Sequence, residues 1–313
     1  MSESRWQPVL QSIEAGDFAA AVAALDRTLE AAPLDSEGLM LRAVAKAAQE
    51  RVADAEADLW RALAIAPAAP GPRAALGDLF VRDLTEPPAQ RDFSLGSGER
   101  QTSPNLGEIR EDHRSRYEFA ALWLRDALAP AHRTTGIDLF CGNGYGSRIL
   151  ADLAGCRMVG VDGSADAVTL AETAYGGHRV VFRQAYFPFA LTERALDFAV
   201  CFESIEHVED CDGYLATVDA AVRGPILLSF PIETTLPFDI NADLFRYHTR
   251  HFTISEMEEK LARICKRRIA AIRGQVVYAL KNRRLNGYVP PQQMALTAVK
   301  PDSQFAVVVA CRA

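Results

Sequence analysis

The sequence predicts an α/β chain in which a seven-stranded, mostly parallel, doubly wound sheet follows an all-α helical region. Three observations carry this. From residue 134 onward, short β-branched apolar runs alternate with helical patterns, and such alternation builds a parallel sheet covered on both faces. Residues 1–82 hold Ala- and Leu-rich helical patterns. Between them, 83–108 is rich in Pro, Gly and Ser and lacks apolar periodicity, the composition of a linker or lid. The expected division is therefore 1–82, 83–108 and 109–313.

Composition narrows the function classes. The 313 residues are 49% hydrophobic and carry a formal net charge of −7. That balance supports a large buried core and argues against a broad nucleic-acid or anionic-membrane surface. Of the six cysteines none forms a CxxC pair, and Cys141, Cys201 and Cys311 sit inside strand-like runs. Reduced, buried thiols are the expected state. The start "MSESRWQPVLQ" lacks the charged-then-apolar pattern of a secretory leader. No window reaches the ~18 apolar residues of a membrane span. A soluble cytoplasmic protein is expected.

The helical region repeats with a period of 34. "GDFAAAVAALDRTLEAAP" ends at Pro33 and "ERVADAEADLWRALAIAP" at Pro67. At that offset Ala21 meets Ala55, Leu25 meets Leu59, Leu29 meets Leu63, and Ala32-Pro33 meets Ala66-Pro67. Small residues let helices approach closely, and proline, with no N–H to donate, stops the second helix. This pattern resembles the tetratricopeptide repeat. Segments 36–49 and 70–82 supply further first-type helices. Two repeats and a capping helix fall short of the roughly three units a solenoid needs. The region is expected to pack on the rest of the chain or on another copy, either as a partner-binding surface or as a plain helical array.

The remaining elements follow in order. From Ile109 to Ala129 the pattern is helical, with Tyr117, Ala120, Ala121, Leu124 and Leu128 on one face. Strands are expected at 136–140, 157–161, 179–182, 196–202, 225–230, 275–279 and 305–310. Helices are expected at 146–153, 165–175, 211–222 and 254–265. The last two strands, joined without a helical pattern, should form the antiparallel edge. Ser164 and Thr253 suit helix caps. The basic stretches at 266–268 and 281–288 read as solvated faces, with binding of a phosphate-bearing sugar donor or lipid-linked glycan as the alternative.

A strand ending at Asp138 runs into "FCGNGYGS" and then a helix. Glycines at such a turn let backbone approach a ligand at the carboxyl edge of a sheet. The next strand ends at Asp162, placed to hold two ribose hydroxyls. The third ends in "FRQAYFPF", suited to the edge and face of a base. A dinucleotide site would satisfy the first two features but would not predict "LDFAVCFESIEHVED".

These motifs together resemble class I S-adenosylmethionine-dependent methyltransferases over roughly residues 96–313. The front segment "GERQTSPNLGEIREDHRSRYEFA" is similar to the lead-in of methyltransferases encoded with sugar and surface-polysaccharide assembly. The resemblance implies that Asp138 and the backbone of Gly142 and Gly144 face the methionine part of the cofactor. It implies that Asp162 holds the ribose, that Gln184 and the Ala185 backbone reach the adenine, and that Arg116 and Tyr117 close over the cofactor. Gln184 departs from the Asp usual there, although an amide oxygen also accepts from the adenine amine. Asn143 replaces a small residue at a turn that tolerates it.

Glu203, Glu206 and His207 follow the fourth strand, where the methyl group should point. His207 is a candidate general base, and Glu203 a candidate partner of the acceptor. As ExxEH, the three could share one helical turn. The resemblance extends to small-RNA 2′-O-methyltransferases and, in part, to ubiquinone-pathway O-methyltransferases, where a similar ExxEH holds a divalent metal. The RNA enzymes add a later His, which His248 in "FRYHTRHFT" matches. Glu203, Glu206, His207 and His248 would then hold Mg²⁺, Mn²⁺ or another divalent ion. The alternatives are a metal-free active-site role and a plain helix start. His251 reads as acceptor-side or structural.

The expected activity is methylation of a sugar hydroxyl in a glycan or nucleotide-linked precursor, with the helical repeats open to a protein partner or self-association. Two other readings stand beside it. One is a metal-dependent RNA 2′-O-methyltransferase, which the acidic net charge disfavours. The other is a non-catalytic interaction protein that kept an old fold.

Overall fold

The computed structural model of the chain describes residues 5–86, 95, 101–128 and 131–312. Half of the expected linker, 87–94 and 96–100, lies outside the described residues. The helical region comprises α1 (Gln7–Glu14), α2 (Phe18–Ala31), α3 (Ser36–Ala47), α4 (Val52–Ile65) and α5 (Pro70–Phe80), each packed on the next. Asp17 and Asp35 cap α2 and α3 by accepting from the amides of Ala20 and Gly38, which satisfies donors that the first turn leaves open. Pro33 and Pro67 follow the ends of α2 and α4, as the repeat requires.

After a short strand, β1 (Val81–Asp83), and the front helix α6 (Glu111–Ala127), the α/β part begins. It runs β2 (Thr135–Leu139), α7 (Tyr145–Ala154), β3 (Arg157–Asp162), α8 (Ala165–Tyr175), β4 (Val180–Gln184), β5 (Phe189–Leu191), β6 (Phe198–Cys201), α9 (Cys211–Ala221) and β7 (Ile226–Pro231). It continues with α10 (Phe238–Asn241), α11 (Ile254–Cys265), β8 (Arg267–Gln275), β9 (Tyr278–Lys281), β10 (Arg284–Tyr288) and β11 (Phe305–Arg312). Ser164 and Thr253 cap α8 and α11 as expected.

The main sheet has seven strands in the order β4-β3-β2-β6-β7-β11-β8. Strands β4, β3, β2, β6 and β7 are parallel neighbours, and β11 is antiparallel to both β7 and β8. This is a mixed sheet. The last two strands, β8 and β11, pair antiparallel at one edge of it, as expected, with β11 between β7 and β8. One expectation is corrected: the sixth strand is 267–275, not 275–279. The reason is legible in β8, whose burial alternates along most of its length, so charged residues interrupt its apolar run. Arg267, expected in a solvated basic patch, is 2% exposed. Its guanidinium pairs with Asp219 at 2.5 Å and donates to the Gly224 carbonyl. Residues 278–281 instead join β10 in a separate two-stranded ribbon.

Helices cover both faces. Tyr117, Ala121 and Leu124 of α6 and Ile149, Leu150 and Ala154 of α7 pack with Met158, Phe198, Val200 and Leu227 on one face. On the other face α9 and α11 cover β6, β7 and β11. Between β4 and β6, residues 185–197 carry no helix, only β5. A parallel crossover ordinarily supplies one. The vacant place is filled from the N-terminal region. Leu59, Leu63, Leu76 and Phe80 are each at most 2% exposed and share one core with Ile137, Val159, Val181 and Ala199. Strand β1 pairs antiparallel with β5, Val81 opposite Leu191. Polar links accompany the apolar ones. The Trp60 indole donates to the Thr135 hydroxyl at 3.2 Å, and Arg73 reaches Glu172 and the Val180 carbonyl.

Candidate active site

A cavity of about 390 Å³ opens at the carboxyl edge of β2, β3, β4 and β6. Its lining includes Arg110, His113, Arg116 and Tyr117 from the front segment, Cys141 and Gly142 after β2, and Asp162 and Gly163 after β3. Ala185, Tyr186 and Phe187 follow β4, and Phe202, Glu203 and His207 follow β6. Phe245, Tyr247 and His248, with Tyr278 and Tyr288 of the β9–β10 ribbon, line the far end. The walls are densely aromatic.

The alternating glycines have different tasks. Gly142 takes φ +57°, lines the cavity, and a Cβ there would meet no protein atom within 4 Å. Its missing side chain leaves ligand space. A Cβ on Gly144, at φ +86°, would overlap the Phe182 ring, and one on Gly146 would overlap the Tyr117 ring. These two glycines make room for protein, and Gly144 does not line the cavity, contrary to its expected place at the ligand.

The carboxylates divide likewise. Asp162 is 5% exposed, lines the cavity, and accepts from the amides of Gly142 and Ser164, both at 2.9 Å. It fixes the glycine turn and borders the cavity at once. Asp138 is fully buried and absent from the cavity surface. It accepts from Tyr117 Oη at 3.2 Å and Ser147 Oγ at 2.7 Å. Burial pushes its carboxyl up to about 7, against the pull of those two hydroxyls. Asp138 therefore orients Tyr117. Gln184 is exposed and outside the lining, its amide donating to the Gly163 carbonyl at 3.3 Å. Ala185, expected beside it, lines the cavity, and its amide donates to the Asp162 carbonyl at 3.0 Å.

At the acceptor end, the shared helical turn does not form. Ile205–His207 is a 3-10 turn, and Glu203 before it takes φ +48°. Glu203 turns away from Glu206 and pairs with the buried Arg116 guanidinium at 2.8 Å, also accepting from Ser229 Oγ at 2.9 Å. Burial would raise its pKa, but Arg116 above all holds it below the usual carboxylate range. Arg116 lies over the Phe305 ring at 4.5 Å and donates to Gln275 at 2.6 Å. A charge this deep needs its counter-ion, so Glu203 is a partner of Arg116 and not a member of the ligand cluster.

The other three residues do converge. Ligating atoms of Glu206, His207 and His248 lie within 4.8 Å of one another. His207 Nδ1 is 3.0 Å from the Tyr247 carbonyl. A carbonyl only accepts, so the proton sits on Nδ1 and Nε2 is the acceptor nitrogen. Glu206 and two imidazoles make a mixed O/N set of the kind that holds zinc or another divalent ion.

The sequence reading passed over two residues. His113 is half-buried between the Arg110 guanidinium and the Tyr145 hydroxyl, each at 3.0 Å, and desolvation lowers its pKa to about 4. His113 and Tyr117, four apart on α6, share the face turned to the cavity. That spacing was the available signal. Tyr145 follows Gly144 within the glycine turn itself and lines the cavity.

Parts of the chain are similar to known proteins. Residues 137–224 match a protein family described as "Methyltransferase domain". A protein of Mycolicibacterium smegmatis named "Probable S-adenosylmethionine-dependent methyltransferase" is 31% identical over 137 residues, covering 42% of this chain and 52% of that one. The chain thus spans about half the length of this curated relative. Among solved structures, magnesium protoporphyrin IX methyltransferase from Synechocystis PCC 6803 is 20% identical, with 69% of this chain and 90% of that chain covered and a TM-score of 0.47. An S-adenosylmethionine-dependent methyltransferase from Mesorhizobium loti is 16% identical, with 63% and 100% covered and a TM-score of 0.47. Residues 137–224 thus match a methyltransferase domain, and that match and the relative together support S-adenosylmethionine as the methyl donor.

Proposed function

We propose that the chain is an S-adenosylmethionine-dependent O-methyltransferase whose acceptor is a hydroxyl on a sugar, in a glycan or nucleotide-linked precursor. The observation that carries the O-methylation is the convergence of His207 and His248, which line the cavity, with the buried Glu206. A hydroxyl is a poor nucleophile until its proton is drawn off, and His207 holds an acceptor nitrogen there by tying Nδ1 to the Tyr247 carbonyl. S-adenosylmethionine, when bound, supplies an activated methyl group. The chain's own part is to bind, orient and exclude water. Asp162 and the Gly142 backbone border the space for the ribose and methionine portions, Ala185 to Phe187 that for the base, and Tyr117 with Arg116 the front. Aromatic walls at Phe245, Tyr278 and Tyr288 suit the flat apolar face of a pyranose ring, and they carry the sugar part of the reading.

A second reading follows from the same cluster. Glu206, His207 and His248 could hold a divalent ion, which would lower the pKa of a chelated hydroxyl. Glu203 is outside that set. The 34-residue period supports a tetratricopeptide-like ancestry for residues 1–82, which we read as a structural layer first. A cytoplasmic setting fits the six free thiols, and no helix among the described residues is long and apolar enough to cross a membrane.

The test starts with calorimetry of S-adenosylmethionine on wild type and Asp162→Ala, with a loss of roughly 10- to 100-fold in affinity expected. Methyl transfer is then measured against glycosides, nucleotide sugars, catechols and a short RNA. His207→Gln should cut turnover by roughly 100-fold or more while leaving cofactor affinity intact. Transfer to none of the sugars, or to RNA in preference, would overturn the acceptor. Equal activity with and without chelator would remove the metal.

A further inference from the structure

His251 is 3% exposed and has no place on the cavity surface. It stands directly behind His248. Its Nδ1 is 2.7 Å from the Leu236 carbonyl, and its Nε2 is 2.9 Å from His248 Nδ1. The chemistry of these atoms leaves little freedom. The Leu236 carbonyl only accepts, so His251 carries its proton on Nδ1. In a neutral ring Nε2 is then the acceptor, and it can be satisfied only by a proton on His248 Nδ1. A neutral His248 holds one proton, so its Nε2 becomes the acceptor nitrogen. The backbone of residue 236 thereby dictates, through two rings, which nitrogen His248 offers.

Packing holds the pair in register. His248 stacks on Phe245 with ring centroids 4.7 Å apart. Phe238 and Phe245 border His251 at 5.3 and 5.2 Å. His207 meets His248 edge-on at 4.7 Å. Both imidazoles of the cluster thus have Nδ1 tied to a fixed acceptor, one directly to a carbonyl and the other through His251.

We propose that His251 is a positioning residue that locks the proton of His248 on Nδ1, so that His248 presents Nε2 as a lone pair beside Glu206 and His207. The inference rests on the methyltransferase reading only for its kinetic consequence. The tautomer itself can be measured without any acceptor.

Long-range ¹H–¹⁵N correlation through the imidazole rings of the uniformly labelled full chain reads the proton's position directly. His248→Asn identifies the His248 signals. In wild type His248 should show a protonated Nδ1 and a pyridine-like Nε2. His251→Gln, whose amide oxygen can accept where Nε2 stands, should keep that pattern. His251→Leu should not, and His248 should shift toward the Nε2–H form. Turnover should fall roughly 10- to 100-fold in His251→Leu, as for other residues that orient a functional imidazole, and recover in His251→Gln, with S-adenosylmethionine affinity unchanged in both. A wild-type His248 protonated on Nε2 would overturn the proposal even if the leucine variant fails to fold. So would an unchanged His248 pattern in a folded His251→Leu. Absence of methyl transfer by wild type on every acceptor would instead strike the functional reading and leave the tautomer result standing.

Discussion

The two faces of the sheet are covered in different ways. On one face, α7 and α8 follow the strands they cover, each in its own crossover, with α6 laid over them from the front. On the other face, α9 and α11 do the same for half of the sheet, but the crossover from β4 to β6 brings no helix. Helices α4 and α5, from more than a hundred residues earlier, cover that half. A sheet needs its apolar face buried, and the physics is indifferent to which part of the chain does it. The comparison teaches that the repeat region is first a structural layer. The matched methyltransferase segment, 137–224, includes the strands β3 and β4 but not the layer over them.

The sharpest way to break that comparison is to remove residues 1–80. Leu59, Leu63, Leu76 and Phe80 are buried in the shared core. At about 1.5–3 kcal/mol for each such side chain, their loss totals about 6–12 kcal/mol, which matches the ~5–15 kcal/mol stability of a whole domain. The shortened chain should show no cooperative melt by circular dichroism and should bind apolar dyes. A cooperative melt within a few degrees of the full chain would mean that the helices are a detachable module.

The second experiment probes the other face. Gly146→Ala places a methyl group against the Tyr117 ring. Overpacking of this kind costs about 1–3 kcal/mol, so the melt should remain cooperative at a lower temperature. Because Tyr117 must shift off Asp138, S-adenosylmethionine affinity should fall as well. The pairing of these effects separates the faces. Damage near α7 should weaken binding along with stability, whereas damage under α5 should act on stability alone.

How much of this was legible beforehand follows from the same contrast. The first five strands of the sheet are short apolar runs between turn residues, and the sequence placed them within a few residues. Strand β8 was misplaced because only part of it is buried and Arg267, its first residue, looks solvent-bound until Asp219 is seen beside it. The missing crossover helix was visible as an absence between residues 184 and 196, but nothing local says what fills it. In the candidate site, Asp162, Gly142, Ala185, Arg116, Tyr117, His207 and His248 line the cavity. Glu203 could not be read correctly, because its direction is set by Arg116, a residue 87 positions earlier on helix α6. Asp138 and Gly144 sit one layer beneath the cavity, a depth that spacing along one strand and turn does not encode.

Asp138 gives the third, smaller effect, read through pH. Its folded pKa near 7 is raised above the ordinary 3.8 by burial. Between those values the folded state keeps a proton that the unfolded state has lost. Asp138 therefore supports stability fully below about pH 4, and that support falls as pH rises through 7, by up to about 1.4 kcal/mol per pH unit. Half-buried His113 and buried His251, lowered from 6.5 to about 4, act in the opposite sense and cost stability as pH falls through that window. Subtraction isolates the carboxyl. The difference in unfolding free energy between wild type and Asp138→Asn, measured by denaturant titration from pH 5 to 7.5, should shrink as pH rises. A flat difference would mean that Asp138 is ionised throughout.

The smallest effect tests what holds α5 to the sheet. Arg183 on β4 reaches Asp78 at 2.9 Å and Asp83 at 2.6 Å, a visible charged clamp across the layer boundary. Its side chain is 25% exposed, and those of Asp78 and Asp83 are 62% and 47% exposed. Water competes for all three, and such pairs contribute about 0.2–1 kcal/mol each. Arg183→Ala should therefore cost less than about 2 kcal/mol, and most of that should vanish in high salt, where exposed charges are screened. A double-mutant cycle with Asp78→Ala should give a coupling of about 0.5 kcal/mol. If the layer instead depended on charge, Arg183→Ala would cost as much as truncating Phe80, about 3–5 kcal/mol. The ratio of those two losses measures how far the α5 layer behaves as a core interface, like the α7 face, and how far as a docked surface.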